Sequence, residues 1–120
     1  MIEISIQKAA QPKERPDQNN LGFGKHFTDH MFIMDYSEGE GWHPARIVPF
    51  ENLSLHPAST VLHYGSEIFE GLKAYRRADG QVQLFRPREN IKRLNASAER
   101  LCRPSIPEED AFEALCEFVR

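Results

Sequence analysis

An Asp-Gly pair, Asp79–Gly80, limits what this chain can fold into more than any other feature, because it separates two short β-prone runs, 72–77 and 82–85. Such a pair between such runs predicts a β-hairpin. Upstream, apolar residues recur at three- and four-residue steps and predict a helix over 59–71, which Gly71 can end in a left-handed conformation. A helix therefore leads directly into a hairpin.

The segments on either side of this region predict the rest of the fold. Apolar periodicity indicates further helices over 87–102, with proline in the first turn, and over 106–120, where Ser105 and Glu108 have capping-box spacing. Alternation over 1–6 predicts an edge strand, and apolar runs predict strands over 27–36 and 42–50, the first of them central and covered on both sides. Since no βαβ alternation occurs, we predict an α+β fold: an antiparallel sheet, built from the amino-terminal strands and the hairpin, with helices packed on it.

The domain organisation predicted at this length is a single domain over residues 1–120. Within it we expect an edge strand over 1–8, a linker-like arm over 9–20 that is rich in proline and polar residues, and a compact core over 21–120. The last helical pattern reaches Arg120 without a stop signal. We therefore expect the chain to be the front part of a longer protein.

Composition excludes several classes of protein. The chain is 40% apolar and 28% charged with a net charge of −3, which argues against a disordered protein and against a surface devoted to nucleic acid. No apolar run approaches the ~20 residues of a membrane helix, and no secretion signal is visible, so we predict a cytoplasmic protein. Cys102 and Cys116 have no metal or redox spacing and are interpreted as reduced packing residues.

Local motifs offer little chemistry apart from arginine. Gly22-Phe23-Gly24-Lys25 lacks the remaining positions of a phosphate loop, and the histidines have no metal-ligand spacing. Basic residues outnumber acidic ones between 73 and 103. This region is either a solvated face or a phosphate-binding surface, because guanidinium pairs with phosphate in a bidentate fork.

Several of these runs carry a resemblance. His63-Tyr64, Phe69-Glu70-Gly71-Leu72-Lys73-Ala74-Tyr75, Leu84-Phe85-Arg86-Pro87 and Asn90-Ile91-Lys92-Arg93-Leu94 closely resemble the amino-terminal domain of branched-chain amino acid aminotransferases, which are fold type IV pyridoxal-phosphate enzymes. The resemblance covers roughly residues 17–120. It implies the small domain of a two-domain protein, and usually a homodimer.

The resemblance also implies an activity and a site. The full-length protein would move an amino group between leucine, isoleucine or valine and 2-oxoglutarate through pyridoxal 5'-phosphate. Phe23, Tyr64 and Phe69 would line the substrate pocket, and Arg93 would contact the cofactor phosphate. The Schiff-base lysine of the family belongs to the carboxy-terminal domain, and none of the lysines here matches it, so we expect no catalytic residue in this chain and no activity from it alone.

Two other kinds of function fit the same residues. D-amino acid aminotransferase and aminodeoxychorismate lyase share the architecture, although the quoted runs favour the branched-chain group. A stand-alone phosphate-binding or dimerisation module would instead use the basic region between 73 and 103.

Overall fold

The computed structural model describes residues 2–120; Met1, with which the predicted first strand began, lies outside the described residues. Clustering of the backbone contacts divides the chain into two compact units. The first comprises residues 3–52, and the second comprises Ile2 and residues 53–120. The expected single domain stays a prediction.

The first unit is built on a three-stranded sheet. Its strands are β1 (Ile4–Ile6), β2 (His30–Ser37) and β3 (Gly41–Pro49), in the spatial order β1-β3-β2. The pairing of β2 with β3 is antiparallel, as predicted, whereas β1 runs parallel to β3. Strand β3 therefore occupies the centre, and the expectation that the strand at 27–36 would be central is wrong.

A β-bulge explains how β3 can contain a proline although it is the central strand. Met34 pairs with Ala45 and Asp35 pairs with His43, so Pro44 is the extra residue on β3. Proline has no N–H to give to a ladder, and a bulge is one of the few places where a sheet tolerates it. The side chains of Ala45 and, two residues on, Ile47 are buried.

The arm at 9–20 contains no helix or strand, but hydrogen bonds tie it to the start of β2. The backbone N–H of Ala9 donates to Nε2 of His30 at 2.9 Å. Lys13 donates from its backbone to Oδ1 of Asp29 at 2.8 Å, and from Nζ to the carbonyl of Thr28 at 2.9 Å. These bonds hold the middle of the arm beside the sheet.

The second unit contains the hairpin and three helices. Their bounds are α1 (Thr60–Tyr64), β4 (Ala74–Arg76), β5 (Val82–Leu84), α2 (Pro87–Arg100) and α3 (Glu108–Val119). Strands β4 and β5 pair antiparallel, which confirms the hairpin, but they form a sheet of their own. The predicted α+β class is confirmed, while the antiparallel strands are divided between two sheets.

Helix α1 is much shorter than the predicted 59–71. Gly65 takes a left-handed conformation with φ of 58° and its N–H donates to the carbonyl of Thr60, which ends the helix there. The apolar stripe continues through Phe69 in sequence, but the earlier glycine stops the helix before Gly71. Residues 65–73 are therefore a connecting segment that leads into β4.

Helices α2 and α3 pack through small and branched side chains. Ile91, Ala98 and Ala114 are buried. Asn95 clamps the connection between the helices, because its amide donates to the carbonyl of Ile106 at 2.8 Å and accepts from the N–H of the same residue at 2.9 Å. Helix α3 begins with Pro107 as its N-cap, so the predicted capping box at Ser105 is wrong.

The carboxyl end of α2 is a Schellman motif without glycine. The N–H of Arg103 donates to the carbonyl of Ala98 at 2.8 Å, and that of Cys102 donates to Glu99 at 3.0 Å. Cys102, at the position where glycine is usual, has a left-handed φ of 53°. The helix thus ends at Arg100, two residues before the predicted bound.

Candidate functional site

A polar cluster of the second unit joins the 65–73 segment to helix α2. Asn90 and Arg93 are three residues apart on α2 and share one face of the helix. Arg93 donates from Nε to Oε2 of Glu70 at 2.7 Å and from Nη2 to Oε1 at 2.5 Å. This is the bidentate fork in which a guanidinium and a carboxylate pair most strongly.

Asn90 and Gly71 complete the cluster. The Asn90 side chain donates from Nδ2 to Oε1 of Glu70 and to the carbonyl of Gly71, each at 3.0 Å. The N–H of Gly71 also donates to Oε1 of Glu70 at 3.0 Å. Both Glu70 and the backbone beside it are therefore fixed against α2.

These donors keep Glu70 ionised over almost the whole pH range. The hydrogen bonds from Arg93, followed by that from Asn90, lower the pKa of Glu70 from its ordinary value of 4.5 to about 2, and the pairing raises the pKa of Arg93. The side chain of Glu70 is 12% exposed and that of Arg93 is 68% exposed. A shielded carboxylate thus holds a guanidinium that still faces solvent.

The three aromatic residues predicted to line a substrate pocket are all open to solvent. Phe23 is 98% exposed, Tyr64 80% and Phe69 87%. Such exposure is unusual for large apolar rings and is typical of surfaces that a ligand or another segment covers. Phe23 belongs to the first unit, whereas Tyr64 and Phe69 belong to the second.

Of the predicted site residues, Phe69 and Arg93 are linked through one intermediate. Phe69 directly precedes Glu70, and a Cβ placed on Gly71 would lie 3.3 Å from Cζ of the Phe69 ring. The ring thus lies over the glycine whose N–H and carbonyl take part in the cluster. Tyr64, at the end of α1, instead places its ring 5.0 Å from that of His63.

Arg93 also borders an open depression of about 670 Å³ on the surface of α2. Its other lining residues are Ala96, Ser97, Glu99 and Arg100. Guanidinium and hydroxyl groups are donors suited to a phosphate, whereas the carboxylate of Glu99 opposes one. Arg93 uses Nε and Nη2 in its hydrogen bonds to Glu70. The donors at this depression, Arg93 among them, are of a kind that can contact a phosphate.

The sequence reasoning named Arg93 but missed Glu70. The one available signal was the position of Glu70 between a candidate pocket residue and a glycine, and this signal does not specify a partner twenty-three residues away. Within residues 2–120 no group of three histidine, cysteine or carboxylate side chains could hold a metal ion. Over the same residues no helix combines the length and the apolar character that spanning a membrane requires.

The strands and helices form a small α+β domain that is consistent with the amino-terminal domain of a fold type IV aminotransferase. No family model matches the chain. Individual relatives are more informative.

The chain is 56% identical to branched-chain-amino-acid transaminase 1 of Bacillus subtilis (strain 168) over 116 residues. These residues make up 97% of the chain and 33% of that protein. It is 50% identical to branched-chain-amino-acid aminotransferase 2 of the same organism, over 97% of the chain and 32% of the relative. With the branched-chain-amino-acid aminotransferase of Mycolicibacterium smegmatis it shares 53% identity over 83% of the chain and 27% of the relative.

The chain is therefore homologous to the amino-terminal part of the branched-chain amino acid aminotransferases, as the resemblance indicated. It spans about a third of the length of the relatives it matches.

Proposed function

We propose that the protein containing this chain is an aminotransferase that moves an amino group between leucine, isoleucine or valine and 2-oxoglutarate. Homology over 97% of the chain supports the class of reaction. One observation supports the site: the guanidinium of Arg93 faces solvent and is held by Glu70. The residue before Glu70 is Phe69, whose ring is exposed.

Pyridoxal 5'-phosphate, when bound, supplies an electron sink and carries the amino group between the two substrates. In our proposal Arg93 pairs with the phosphate of this cofactor and so fixes one end of it. A guanidinium is suited to this role because it is permanently charged and its donors match phosphate oxygens.

Tyr64 and Phe69 provide, in our proposal, apolar surface that receives the branched side chain of the substrate. Phe23, which belongs to the other unit, is proposed as a further substrate-binding residue on the resemblance alone. Aromatic rings provide area and shape for an aliphatic group, and they exclude water from it. The hydroxyl of Tyr64 can in addition orient a substrate oxygen. A homodimer and a cytoplasmic location complete the proposal, and the resemblance to the family supports the homodimer.

The proposal is tested on the protein extended to the length of its relatives. Glutamate formed from 2-oxoglutarate should depend on leucine, isoleucine or valine as donor. Replacing Arg93 with alanine should weaken binding of pyridoxal phosphate about 10- to 100-fold, the equivalent of one charged hydrogen-bonded contact.

Arg88 offers a matched control, because it too forms a bidentate pair with a glutamate, Glu109, and its pKa is likewise raised. Arg88→Ala should leave the cofactor affinity unchanged. Absence of donor-dependent glutamate formation in the extended protein would overturn the proposed reaction. If Arg93→Ala and Arg88→Ala bind the cofactor equally well, Arg93 is not the phosphate contact.

A further inference from the structure

Glu70 links the candidate cofactor contact, Arg93, to the candidate pocket residue Phe69. It accepts four hydrogen bonds, two from Arg93 and one each from Asn90 and the N–H of Gly71. Phe69 precedes it directly. A change in the position of this carboxylate therefore changes the surroundings of both residues.

The pairing has two opposite effects on a phosphate near Arg93. The negative charge of Glu70 offsets the charge of the guanidinium and repels an anion. Against this, the bidentate pair fixes the plane of an exposed guanidinium whose side chain otherwise samples many rotamers. The conformational entropy of that side chain is then already lost before a ligand binds, so binding does not lose it again. The two effects predict opposite results when the charge of Glu70 is removed, so experiment can decide between them.

The geometry favours the ordering effect. Both oxygens of Glu70 are engaged, and the carboxylate is shielded while the guanidinium projects into solvent at 68% exposure. A surface guanidinium without such a partner samples many orientations. With it, the carboxylate holds the edge of the guanidinium that carries Nε and Nη2.

We infer that Glu70 is a positioning residue, which holds the Arg93 guanidinium in the orientation that meets the cofactor phosphate and couples this contact, through Gly71, to the position of Phe69. The inference rests on the proposed function, in that it takes Arg93 to be the phosphate contact. It assigns to Glu70 no contact with the cofactor and no part in proton transfer.

The test compares the affinities of the full-length enzyme for pyridoxal phosphate and for pyridoxal, which lacks the phosphate. Glu70→Gln keeps the size of the side chain but replaces one acceptor with a donor that cannot face the guanidinium. We expect it to bind pyridoxal phosphate about tenfold more weakly, by analogy with the outer partners of metal ligands, and to bind pyridoxal as the unchanged enzyme does. A merely structural loss would weaken both.

Two further variants complete the design. Glu109→Gln breaks the corresponding bidentate pair between α2 and α3 and should leave both affinities unchanged. Glu70→Asp keeps the charge but shortens the side chain by one methylene, so it should also weaken binding of pyridoxal phosphate, which charge repulsion alone does not predict. If Glu70→Gln fails to fold, the affinities of Glu70→Asp for pyridoxal phosphate and for pyridoxal test the positioning role instead.

The outcomes separate the inference from the function on which it rests. Unchanged or tighter binding of pyridoxal phosphate by Glu70→Gln, with weaker binding by Arg93→Ala, overturns the positioning role and retains Arg93 as the contact. Unchanged binding by Arg93→Ala removes the phosphate contact itself. In the coupled arrangement, Glu70→Gln should also raise the KM for leucine when the cofactor is saturating, whereas an unchanged KM would refute the coupling to Phe69.

Discussion

Replacing Cys102 with glycine should stabilise the chain, although it removes a side chain and adds freedom to the unfolded state. Cys102 holds the left-handed position of the Schellman motif at the end of α2, with φ of 53°. An L-residue with a Cβ incurs roughly 1–2 kcal/mol in this conformation, because Cβ approaches the following carbonyl oxygen. Glycine has no such contact.

The opposing term is smaller. Glycine makes the unfolded chain more flexible, which costs about 0.4–1 kcal/mol relative to alanine. Since Cys102 is exposed, removing its sulfur sacrifices little buried area. The net expectation is a gain of about 0.5–1 kcal/mol in the free energy of unfolding, or roughly 2–4 °C in Tm for a chain of this size.

Urea denaturation under reducing conditions measures this difference. Cys102→Ala is the matched control, because it removes the sulfur but retains Cβ, and we expect it to change the stability by less than about 0.5 kcal/mol. Cys116→Gly should instead destabilise by at least about 1 kcal/mol, since Cys116 lies within α3. Equal stability of the glycine and alanine variants at position 102 would refute the reasoning.

The remaining predictions concern charge, activity and shape. Because the pKa of Glu70 is lowered from 4.5 to about 2, its contribution to stability is complete above pH 4.5 and disappears as the pH falls towards 2, so Glu70→Gln should flatten the stability profile in that window; an unchanged profile would contradict the pairing. The chain alone, with pyridoxal phosphate and leucine added, should form no glutamate from 2-oxoglutarate above a buffer blank, and turnover would contradict the prediction that it lacks the essential lysine. Gly71→Ala should displace the Phe69 ring, since the new Cβ would lie 3.3 Å from it, and should raise the KM for leucine in the full-length enzyme; an unchanged KM would separate that ring from substrate binding.

The local elements were predictable where a short-range signal decided them. Asp79–Gly80 specified the hairpin, and Gly80 does take a positive φ, of 83°. Apolar periodicity specified α2 and α3 to within two residues. The error at α1 arose because two glycines could each end that helix, and periodicity alone does not show that Gly65 ends it before Gly71.

Pairing between distant segments was less predictable. The alternation of Ile4 and Ile6 indicated a strand but carried no information on its direction, and the parallel partner is an isoleucine- and alanine-containing strand far along the chain. The same limit applies to the site. Arg93 could be named through a resemblance, whereas its pairing with Glu70 depends on how the 65–73 segment meets α2, which no local pattern specifies.

The parallel docking of β1 has a consequence for the order in which the first unit assembles. Strands β2 and β3 are joined by a short turn, so their pairing closes a small loop, whereas β1 pairs with residues about 40 positions away and must wait for a larger closure. Only three residues of β1 then join the edge of β3. We expect β1 to be the last strand added and the first lost, so that its amide hydrogens exchange with solvent earlier than those of β3.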